Sequence, residues 1–437
     1  MIRIMSKKVI IVGSGAGGCA VARELALKGF NITVLEAGSK FSSLNRAFSY
    51  AYPFSRLGLL GGEKTISKVF PHMKTTRASD KLVVVTGQTM GGCTTISCGN
   101  IVRADRGLKE IGLDLKSEFG ELEKIIGIAP IPFDKWRSLT LKMFKTATRL
   151  GLDPTPTQKA VNVHKCTGCG LCELGCAVNA KWDARKFLDK QIRKRVSVIC
   201  KTAVKKLIIE GGVVKGVEAR KERESLRLYS DIVVLAAGGL GTAQILKASG
   251  VDASDTLWVD IVSTLGGICK GAKQLDEPPM VWYTKHEDYI LSPYIDILSV
   301  WFYKPWRKVS VNDRVGIMLK LADSASGMVT KEGDIIKQVT NYELERIDEG
   351  LELARQVMEN SGVNGPFVRG LLNGGHLGGT VPLRKKDIDS MKPSYLPDNL
   401  WVADLSLAPR SQGMPTMLLA SALALRVARK IIEAKNN

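Results

Sequence analysis

Four of the nine cysteines in this chain of 437 residues lie within one short stretch, CTGCGLCELGC. Thiolates spaced C-x2-C-x2-C-x3-C hold iron–sulfur clusters in ferredoxins, so the stretch predicts a 4Fe–4S cluster and one-electron chemistry. Two alternatives stay open: a structural zinc ion, although four-thiolate zinc sites normally pair two separated C-x2-C units, or reduced cysteines without a metal. The predicted ligands are Cys166, Cys169, Cys172 and Cys176.

The fourth ligand is open, because in two-cluster ferredoxins the last cysteine of such a run serves the other cluster. This sequence has a single run, so either Cys176 returns to the same cluster or a remote thiol completes it. Ala177 stands where ferredoxins commonly have proline, which weakens the match. The remote candidates are Cys19, Cys93, Cys98, Cys200 and Cys269.

A second pattern, near the amino terminus, predicts nucleotide binding. The apolar run KKVIIVG at 7–13 is typical of a buried strand, and GSGAGG at 13–18 matches G-x-G-x-x-G. A helical pattern and a second strand follow, and Glu36 lies about 20 positions on, as in a dinucleotide-binding βαβ unit. We expect the turn and the helix N-terminus to bind a pyrophosphate and Glu36 to accept hydrogen bonds from ribose hydroxyls. The predicted phosphate-binding residues are Gly13, Gly15, Ala16, Gly17 and Gly18.

Four further stretches follow the glycine turn in a characteristic order. They are GQTMGGCTTISCGNIVRA at 87–104, DIVVLAAGGLGTAQILKASG at 231–250, GGHLGGT at 374–380 and NLWVADLSLAPRSQGMPTMLLASALALRVARKI at 399–431. Taken together, the five motifs resemble the glucose–methanol–choline (GMC) family of FAD-dependent oxidoreductases, over roughly two thirds of the chain. The resemblance implies that FAD is the cofactor and that a hydride passes between it and a small organic substrate.

The resemblance also implies a catalytic residue. His376 falls on the family's catalytic histidine, which takes the hydroxyl proton of an alcohol or returns it in the reverse reaction. The family pairs this histidine with a second histidine or an asparagine, but the matching position here is Met414, whose thioether cannot donate a hydrogen bond. Arg410, Ser411 and Gln412 are candidates for the missing polar contact.

The implied FAD contacts come from three regions. The 91–97 loop is similar to the family's loop along the flavin and its pyrophosphate, and the backbone near Val204 would meet the adenine. Asp404 would lie near the ribityl chain, and the start of the closing helix would face the pyrimidine edge, where its dipole stabilises negative charge. The implied contacts are Gly91, Gly92, Cys93, Thr94, Ser97, Val204, Asp404, Met414 and Thr416.

These elements predict an α/β plus α+β fold. It combines a discontinuous Rossmann-like FAD-binding domain, an antiparallel-sheet substrate domain and a small cysteine-rich insertion. The residues that follow the cysteine run, up to Arg195, carry a pattern that predicts a helix. The predicted ranges are 1–150, 189–257 and 371–437 for the FAD-binding domain, 151–188 for the insertion and 258–370 for the substrate domain.

Composition limits the partners. The net charge of +20 favours an acidic electron carrier such as a ferredoxin, or peripheral contact with an acidic membrane surface. No nucleic-acid-binding motif accompanies the basic residues, and no apolar run has transmembrane length. The amino-terminal residues run directly into the first strand, which leaves no room for a signal peptide, so we expect a cytoplasmic protein.

The function hypothesis is an FAD-dependent dehydrogenase or reductase. Hydride would pass between the flavin and a small-molecule substrate at an alcohol, carbonyl or related C–H or C=C group, and electrons would pass through the cluster to or from a carrier. One alternative is a GMC-type alcohol dehydrogenase whose cysteine loop is free of metal or binds zinc. The other is a noncatalytic flavin and iron–sulfur electron-transfer subunit.

Overall fold

The computed structural model describes residues 7–45, 50, 51, 53, 54, 57, 63–296 and 303–436. The helices are α1 (Ala16–Leu27), α2 (Glu63–Val69), α3 (Lys116–Ile126), α4 (Ser138–Arg149), α5 (Gly238–Ala248), α6 (Asn341–Glu359) and α7 (Met417–Asn436). The strands are β1 (Lys8–Val12), β2 (Asn31–Leu35), β3 (Met73–Arg77), β4 (Leu82–Gly87), β5 (Ala129–Pro130), β6 (Thr155–Pro156), β7 (Gln158–Lys159), β8 (Val196–Ile199), β9 (Thr202–Glu210), β10 (Val213–Lys221), β11 (Glu224–Tyr229), β12 (Ile232–Leu235), β13 (Ile261–Ile268), β14 (Trp282–Lys285), β15 (Tyr289–Pro293), β16 (Arg314–Leu321), β17 (Met328–Val329), β18 (Ile335–Ile336), β19 (Asn364–Arg369), β20 (Leu372–Gly374) and β21 (Leu400–Val402).

A parallel sheet gathers strands from both ends and the middle of the chain. Its order is β21-β12-β1-β2-β8, and every neighbouring pair is parallel. The central strands read KVIIV and IVVL, and such apolar runs form strands that are buried on both faces. Because parallel strands end at one edge, the turns after β1, β12 and β21 lie together at the carboxyl edge, where open α/β sheets bind ligands.

A second, mixed sheet has the order β3-β4-β20-β13-β16-β15-β14-β6, with β19 also paired to β13. The strands expected in the middle of the sequence pair as antiparallel neighbours, β13 with β16, β16 with β15 and β15 with β14. The apolar periodicity of YELERIDEGLELARQVMENSG at 342–362 predicts an amphipathic helix. That helix is observed as α6, which begins at a capping box formed by Thr340 and Glu343. In this sheet β16 and β20 flank β13 on its two sides.

The helix expected after the cysteine run is wrong. Residues 184–187 and 192–194 form separate 3-10 turns, and β8 follows them directly. Asp183 accepts a hydrogen bond from the Arg185 N–H (3.1 Å), and Asp189 accepts two, from the Gln191 (2.8 Å) and Ile192 (3.0 Å) N–H groups. Aspartate side chains that bind nearby backbone N–H groups favour turns over continuous helix, which explains the difference.

No helix in the described part of the chain is both long enough and apolar enough to span a bilayer. The domain ranges stay a prediction, because the sheets assemble from segments that are far apart in sequence.

Candidate active site and cysteine pocket

The glycine turn predicted to bind a pyrophosphate joins β1 to α1, which begins at Ala16. Gly13 has φ +101°, and a Cβ on Gly17 or Gly18 would lie 1.8 or 2.0 Å from a backbone oxygen. These positions need glycine for the turn and for the close approach of the helix. Gly15 differs, because no atom lies within 4 Å of where its Cβ would be. This open space at the helix N-terminus suits a phosphate group.

Glu36 follows β2 and is buried. Its carboxylate accepts hydrogen bonds from the Ser14 hydroxyl (2.6 Å) and from the N–H groups of Ser14 (3.1 Å) and Gly38 (2.7 Å). Burial raises the pKa of Glu36, and these hydrogen bonds oppose the rise. An ionised carboxylate has about four acceptor positions, so one remains for the predicted ribose contact. Ser14 also accepts the Gly91 N–H (3.1 Å), which ties the turn to the next loop, and the motifs did not single it out.

The predicted flavin loop crosses the glycine turn. Gly92 begins a 3-10 turn, and a Cβ at this position would lie 2.9 Å from the Cα of Gly15, so the two backbones pass in contact. Thr94 is buried, and its carbonyl accepts a hydrogen bond from the Ser97 hydroxyl (2.9 Å). The Cys93 side chain is exposed. The structure thus brings both glycine-rich segments to one place.

Asp404 follows β21 and holds the start of α5. Its carboxylate accepts hydrogen bonds from the Gly238 N–H (2.8 Å), the Thr242 hydroxyl (2.6 Å) and the Ser406 N–H (2.8 Å). Burial raises the pKa of Asp404, and the Ser406 and Thr242 hydrogen bonds lower it. Its protein partners make Asp404 a structural clamp at the carboxyl edge, and the ribityl contact stays a prediction.

The other implied FAD contacts lie on separate elements. Met414 and Thr416 are buried and lie within three residues of the start of α7. Val204 is half-buried on β9, opposite Ala219 of β10. Their contacts with a flavin or an adenine stay predictions.

His376 lies beside two buried charged side chains. Its Nδ1 is 3.0 Å from the Oδ2 of Asp260 and 3.3 Å from the Nζ of Lys320. Burial lowers the pKa of His376 and the Lys320 charge lowers it further, whereas the hydrogen bond and charge of Asp260 and a backbone hydrogen bond to Met414 oppose both effects. The imidazole is therefore held between a carboxylate and an amine side chain, with its pKa below the ordinary value.

Asp260 is fixed from several sides. It precedes β13, is fully buried and has φ +51°, a left-handed conformation that is uncommon outside glycine. Its Oδ1 accepts hydrogen bonds from the Ser411 hydroxyl (2.5 Å) and from the N–H groups of Gln412 and Gly413 (2.9 Å each). Ser411 and Gln412, expected as polar partners of the catalytic histidine, contact Asp260 instead. Hydrogen bonds and nearby cations hold the pKa of Asp260 low despite its burial.

A further buried ion pair supports this arrangement. The Ser411 hydroxyl also contacts Asp323 (2.8 Å), which pairs with Lys337 (3.1 Å), and both side chains are fully buried. Lys337 lies 3.6 Å from Glu343, in the first turn of α6. Burial raises the pKa of Asp323 to about 6, although Lys337 opposes the rise. A continuous polar network therefore runs from His376 to the start of α6.

The His376 segment packs against the carboxyl edge of the parallel sheet. The Gly379 N–H donates to the Leu405 carbonyl (3.1 Å), next to the Asp404 turn. A Cβ on Gly239 would lie 2.6 Å from the Leu377 carbonyl, so the start of α5 also touches this segment. The glycine turn, the Asp404 turn and His376 thus belong to one region of the molecule.

The four cysteines of the run line one pocket of about 110 Å³. The five remote thiols do not line it, which favours Cys176 over them as a fourth ligand. Among the residues that the structure describes, however, no three His, Cys, Asp or Glu side chains are arranged to hold a metal ion. Gly170 and Gly175 have positive φ, and a Cβ at either would lie about 2 Å from Leu275 or Phe41, so these glycines are required by packing.

Two fully buried lysines flank this pocket. Lys181 lines it, and its ammonium donates to the carbonyls of Thr94 (3.2 Å), Thr95 (2.8 Å) and Ser97 (2.6 Å) in the predicted flavin loop. Lys159 donates to the Pro279 carbonyl (2.7 Å). Burial raises the pKa of Cys172 to about 11, and both lysine charges oppose the rise. Lys181 therefore connects the cysteine pocket to the predicted flavin loop.

Glu173 connects the cysteine run to the second sheet. Its carboxylate accepts hydrogen bonds from the Tyr294 hydroxyl (2.6 Å) and from the Cys98 thiol (3.4 Å). Burial raises the pKa of Glu173, and the Lys320 charge is among the influences that lower it. The run thus contributes a buried carboxylate near the lysine that contacts His376.

Sequence motifs missed Asp260 and Lys320. Each is a lone charge within an apolar stretch, LWVDIV for Asp260 and GIMLKLA for Lys320. Charged residues are almost never fully buried unless they are paired, so a charge inside an apolar stretch is the signal that could have identified both.

The parallel sheet with its glycine turn, joined to a mixed sheet, is the architecture of a dinucleotide-binding α/β protein. The family model described as GMC oxidoreductase matches residues 7–270, more than half of the chain. The chain therefore belongs to the GMC oxidoreductase family, and membership supports an FAD-dependent enzyme.

Three similar proteins illustrate the match. An uncharacterized GMC-type oxidoreductase of Mycobacterium tuberculosis (strain H37Rv) is 28% identical in an alignment 257 residues long that covers 55% of this chain and 39% of that protein. A long-chain-alcohol oxidase of Arabidopsis thaliana is 25% identical over 56% of this chain and 34% of its own length. The chain thus spans about two fifths or less of these relatives. The crystal structure of pyridoxine 4-oxidase from Mesorbium loti has a TM-score of 0.76 at 16% identity, covers 98% of this chain and 99% of its own, and shares the fold.

Proposed function

We propose that the chain is an FAD-dependent oxidoreductase that acts on a CH–OH group of a small organic substrate, or on the corresponding carbonyl in reverse. The observation that carries this proposal is His376, held by buried Asp260 next to the turns that would bind a dinucleotide. FAD, when bound, accepts the hydride. His376 accepts the hydroxyl proton, and Asp260 orients the ring and balances the charge that it acquires.

The residues present fit FAD. Two glycine-rich backbones cross at Gly15 and Gly92, beside an open space and a helix N-terminus. Glu36 keeps an acceptor position for a ribose hydroxyl, and the buried start of α7 follows Thr416. Electrostatic attraction between a helix N-terminus and negative charge supports the placement of the pyrophosphate and the flavin edge at these two helices.

The test is anaerobic reduction of the flavin. Purified protein should contain one FAD per chain, and an alcohol panel should bleach its visible absorbance. The panel includes long-chain primary alcohols and pyridoxine, because one relative is a long-chain-alcohol oxidase and the structural neighbour is pyridoxine 4-oxidase. His376→Ala should slow bleaching by about 10²–10⁴-fold, whereas the exposed control His164→Ala should not. Protein that binds no FAD would disprove the proposal.

We also propose a 4Fe–4S cluster in the cysteine pocket. Four thiols that line one pocket, with buried Lys159 and Lys181 nearby, support this proposal, because such a cluster takes thiolate ligands and is anionic. The cluster would supply one-electron transfer to or from a carrier, and the net charge of +20 would attract an acidic one such as a ferredoxin. A cytoplasmic location is part of the same proposal.

Iron and sulfide analysis of anaerobically purified protein tests the cluster. We expect about four irons and four sulfides per chain, their loss in Cys172→Ser, and retention in the control Cys200→Ser, whose thiol lies outside the pocket. Cys176→Ser should also lose iron if Cys176 is the fourth ligand. Flavin bands without iron or sulfide would instead favour a GMC-type alcohol dehydrogenase without a cluster. That alternative agrees with the observation that, among the described residues, the cysteine side chains are not arranged to hold a metal.

A further inference from the structure

Lys320 is a buried ammonium with unused hydrogen-bonding capacity. It lies on β16, is 8% exposed, and contacts the His376 Nδ1 at 3.3 Å. Because the Nδ1 proton points toward Asp260, this contact is electrostatic and is not a hydrogen bond. Within the described residues Lys320 has no other hydrogen-bond partner and no ion pair. An ammonium carries three hydrogens, and a buried polar group without partners is costly. At least two hydrogens of Lys320 therefore await an acceptor that comes from outside the chain.

The acid beside His376 sets its tautomer. Asp260 already accepts three hydrogen bonds at Oδ1, all of which favour its ionised form. An ionised carboxylate can only accept, so the Nδ1 of His376 carries its proton toward Asp260 Oδ2. This leaves Nε2 as the basic nitrogen of the neutral imidazole.

One substrate oxygen can contact both His376 and Lys320. The Lys320 ammonium lies 3.3 Å from Nδ1, and the two nitrogens of an imidazole are closer together than a hydrogen-bond length. The distance from the Lys320 ammonium to Nε2 is therefore no more than two hydrogen-bond lengths. At that separation a single oxygen atom can form a hydrogen bond with each of the two nitrogens. The position that the family fills with a second histidine or an asparagine is Met414 here, and its thioether cannot donate to that oxygen.

We propose that Lys320 is a catalytic residue that donates a hydrogen bond to the reacting oxygen of the substrate and stabilises its negative charge. This inference rests on the proposed function. In the forward direction the O–H bond breaks and its proton goes to His376 Nε2, the carbon gives up a hydride to FAD, and the C=O bond forms. Lys320 keeps its proton throughout. The substrate is an alcohol, and the positive charge that binds its oxygen is supplied by Lys320 of the protein.

The charges around this site are compatible with that role. Asp260 and Lys320 face the imidazole directly and have opposite charges. Asp323 shares the Ser411 hydroxyl with Asp260 and is paired with Lys337. Burial lowers the pKa of Lys320, and the charges of Asp260 and Glu173 oppose that shift. The role proposed for Lys320 is that of its protonated form.

A poorly oxidised alcohol tests the contact without requiring the natural substrate. Binding of 2,2,2-trifluoroethanol to the FAD-loaded protein is followed by fluorine NMR. Lys320→Met should weaken binding about tenfold, the loss expected for a hydrogen bond to a charged group, whereas Lys320→Arg should largely retain it. Lys285→Met, on an exposed position of β14, is the matched control. Lys320→Gln replaces Lys320→Met if the methionine variant does not fold.

Two further readouts separate this inference from the proposed function. In an NMR titration, Lys320→Met should raise the pKa of His376, because a neighbouring positive charge is removed. With any alcohol that bleaches the wild-type flavin, it should slow bleaching by about 10²-fold. Equal trifluoroethanol binding in wild type and Lys320→Met, or an unchanged His376 titration, would overturn the inference. Protein without FAD would overturn the proposed function, and the His376 titration would still decide whether Lys320 acts on the ring.

Discussion

Asp260 determines what His376 can do, although no motif contains it. The residue combines complete burial, a left-handed backbone and hydrogen bonds to both carboxylate oxygens. Three donors on one oxygen keep the carboxylate ionised and fixed, so the other oxygen can only accept from the imidazole. A histidine in GGHLGGT is thus converted into a base with a defined tautomer by a residue 116 positions away.

Replacing Asp260 with asparagine tests this tautomer control. The side-chain amide can donate to Nδ1, which would place the proton on Nε2 and remove the base. We expect the rate of flavin reduction to fall by about 10³–10⁴-fold and the pKa of His376 to fall, because a nearby negative charge is lost. Asparagine tolerates the left-handed backbone, so the fold should persist. Nitrogen NMR shifts of His376 report the tautomer directly.

The control for that substitution is Asp153→Asn. Asp153 is exposed and also has a positive φ, of +46°. It shares the change of residue type and backbone conformation without contact to the site. Wild-type rates in Asp260→Asn, with the Nδ1 tautomer retained, would show that Asp260 does not set the chemistry of His376.

At the scale of elements, local patterns predicted most of the frame. The strand, glycine turn, helix and second strand near the amino terminus are present as β1, α1 and β2, and the amphipathic segment near 342–362 is α6. These elements are specified within a few residues, by apolar periodicity and by caps, so a sequence can reveal them. The segment after the cysteine run failed as a helix because Asp183 and Asp189 bind neighbouring N–H groups.

The pairing between elements could not be predicted in the same way. Lys320 and His376 are 56 residues apart, and they meet only because β16 and β20 both pair with β13. Strand register decides which side chains share a face, and it depends on contacts across the whole sheet. Family resemblance supplied His376, and only the register supplied Lys320 and Asp260. Most of the candidate residues that motifs supplied lie on turns, whereas Lys320 lies within β16 and Asp260 immediately precedes β13.

At the scale of the whole molecule, the closing helix joins the ends of the chain. Helix α7 packs against α1 and is tied to α3 by Glu118, which accepts hydrogen bonds from Arg426 (2.6 and 2.9 Å) and Arg429 (3.0 Å). Glu118 is 1% exposed, more than 300 residues before its partners. The parallel sheet has the same character, because its neighbours come from both ends and the middle. We therefore expect the chain to unfold as one unit, because no half of it that lacks α7 should be stable by itself.

Glu118→Gln tests this connection. The amide cannot balance two guanidinium groups and leaves them with fewer acceptors, so the free energy of unfolding should fall by about 1–3 kcal/mol. Urea denaturation followed by circular dichroism measures it. The control is Glu433→Gln on the same helix, whose pair with Lys430 is exposed and should contribute less than about 0.5 kcal/mol.

The pH dependence of this stability difference is the more decisive measurement, because the direction of the change is determined by the Glu118 pKa. Burial alone would raise the pKa of Glu118, but the hydrogen bonds and charges of Arg426 and Arg429 hold it below the ordinary value of 4.5. A lowered carboxyl pKa contributes stability that is present above the unfolded pKa and is lost as the pH falls through the folded pKa. The difference in stability between wild type and Glu118→Gln should therefore be constant near neutrality and shrink below about pH 4.5. A difference that grows on acidification would show that Glu118 is not stabilised as an anion, and the closing helix would then be held by apolar packing alone.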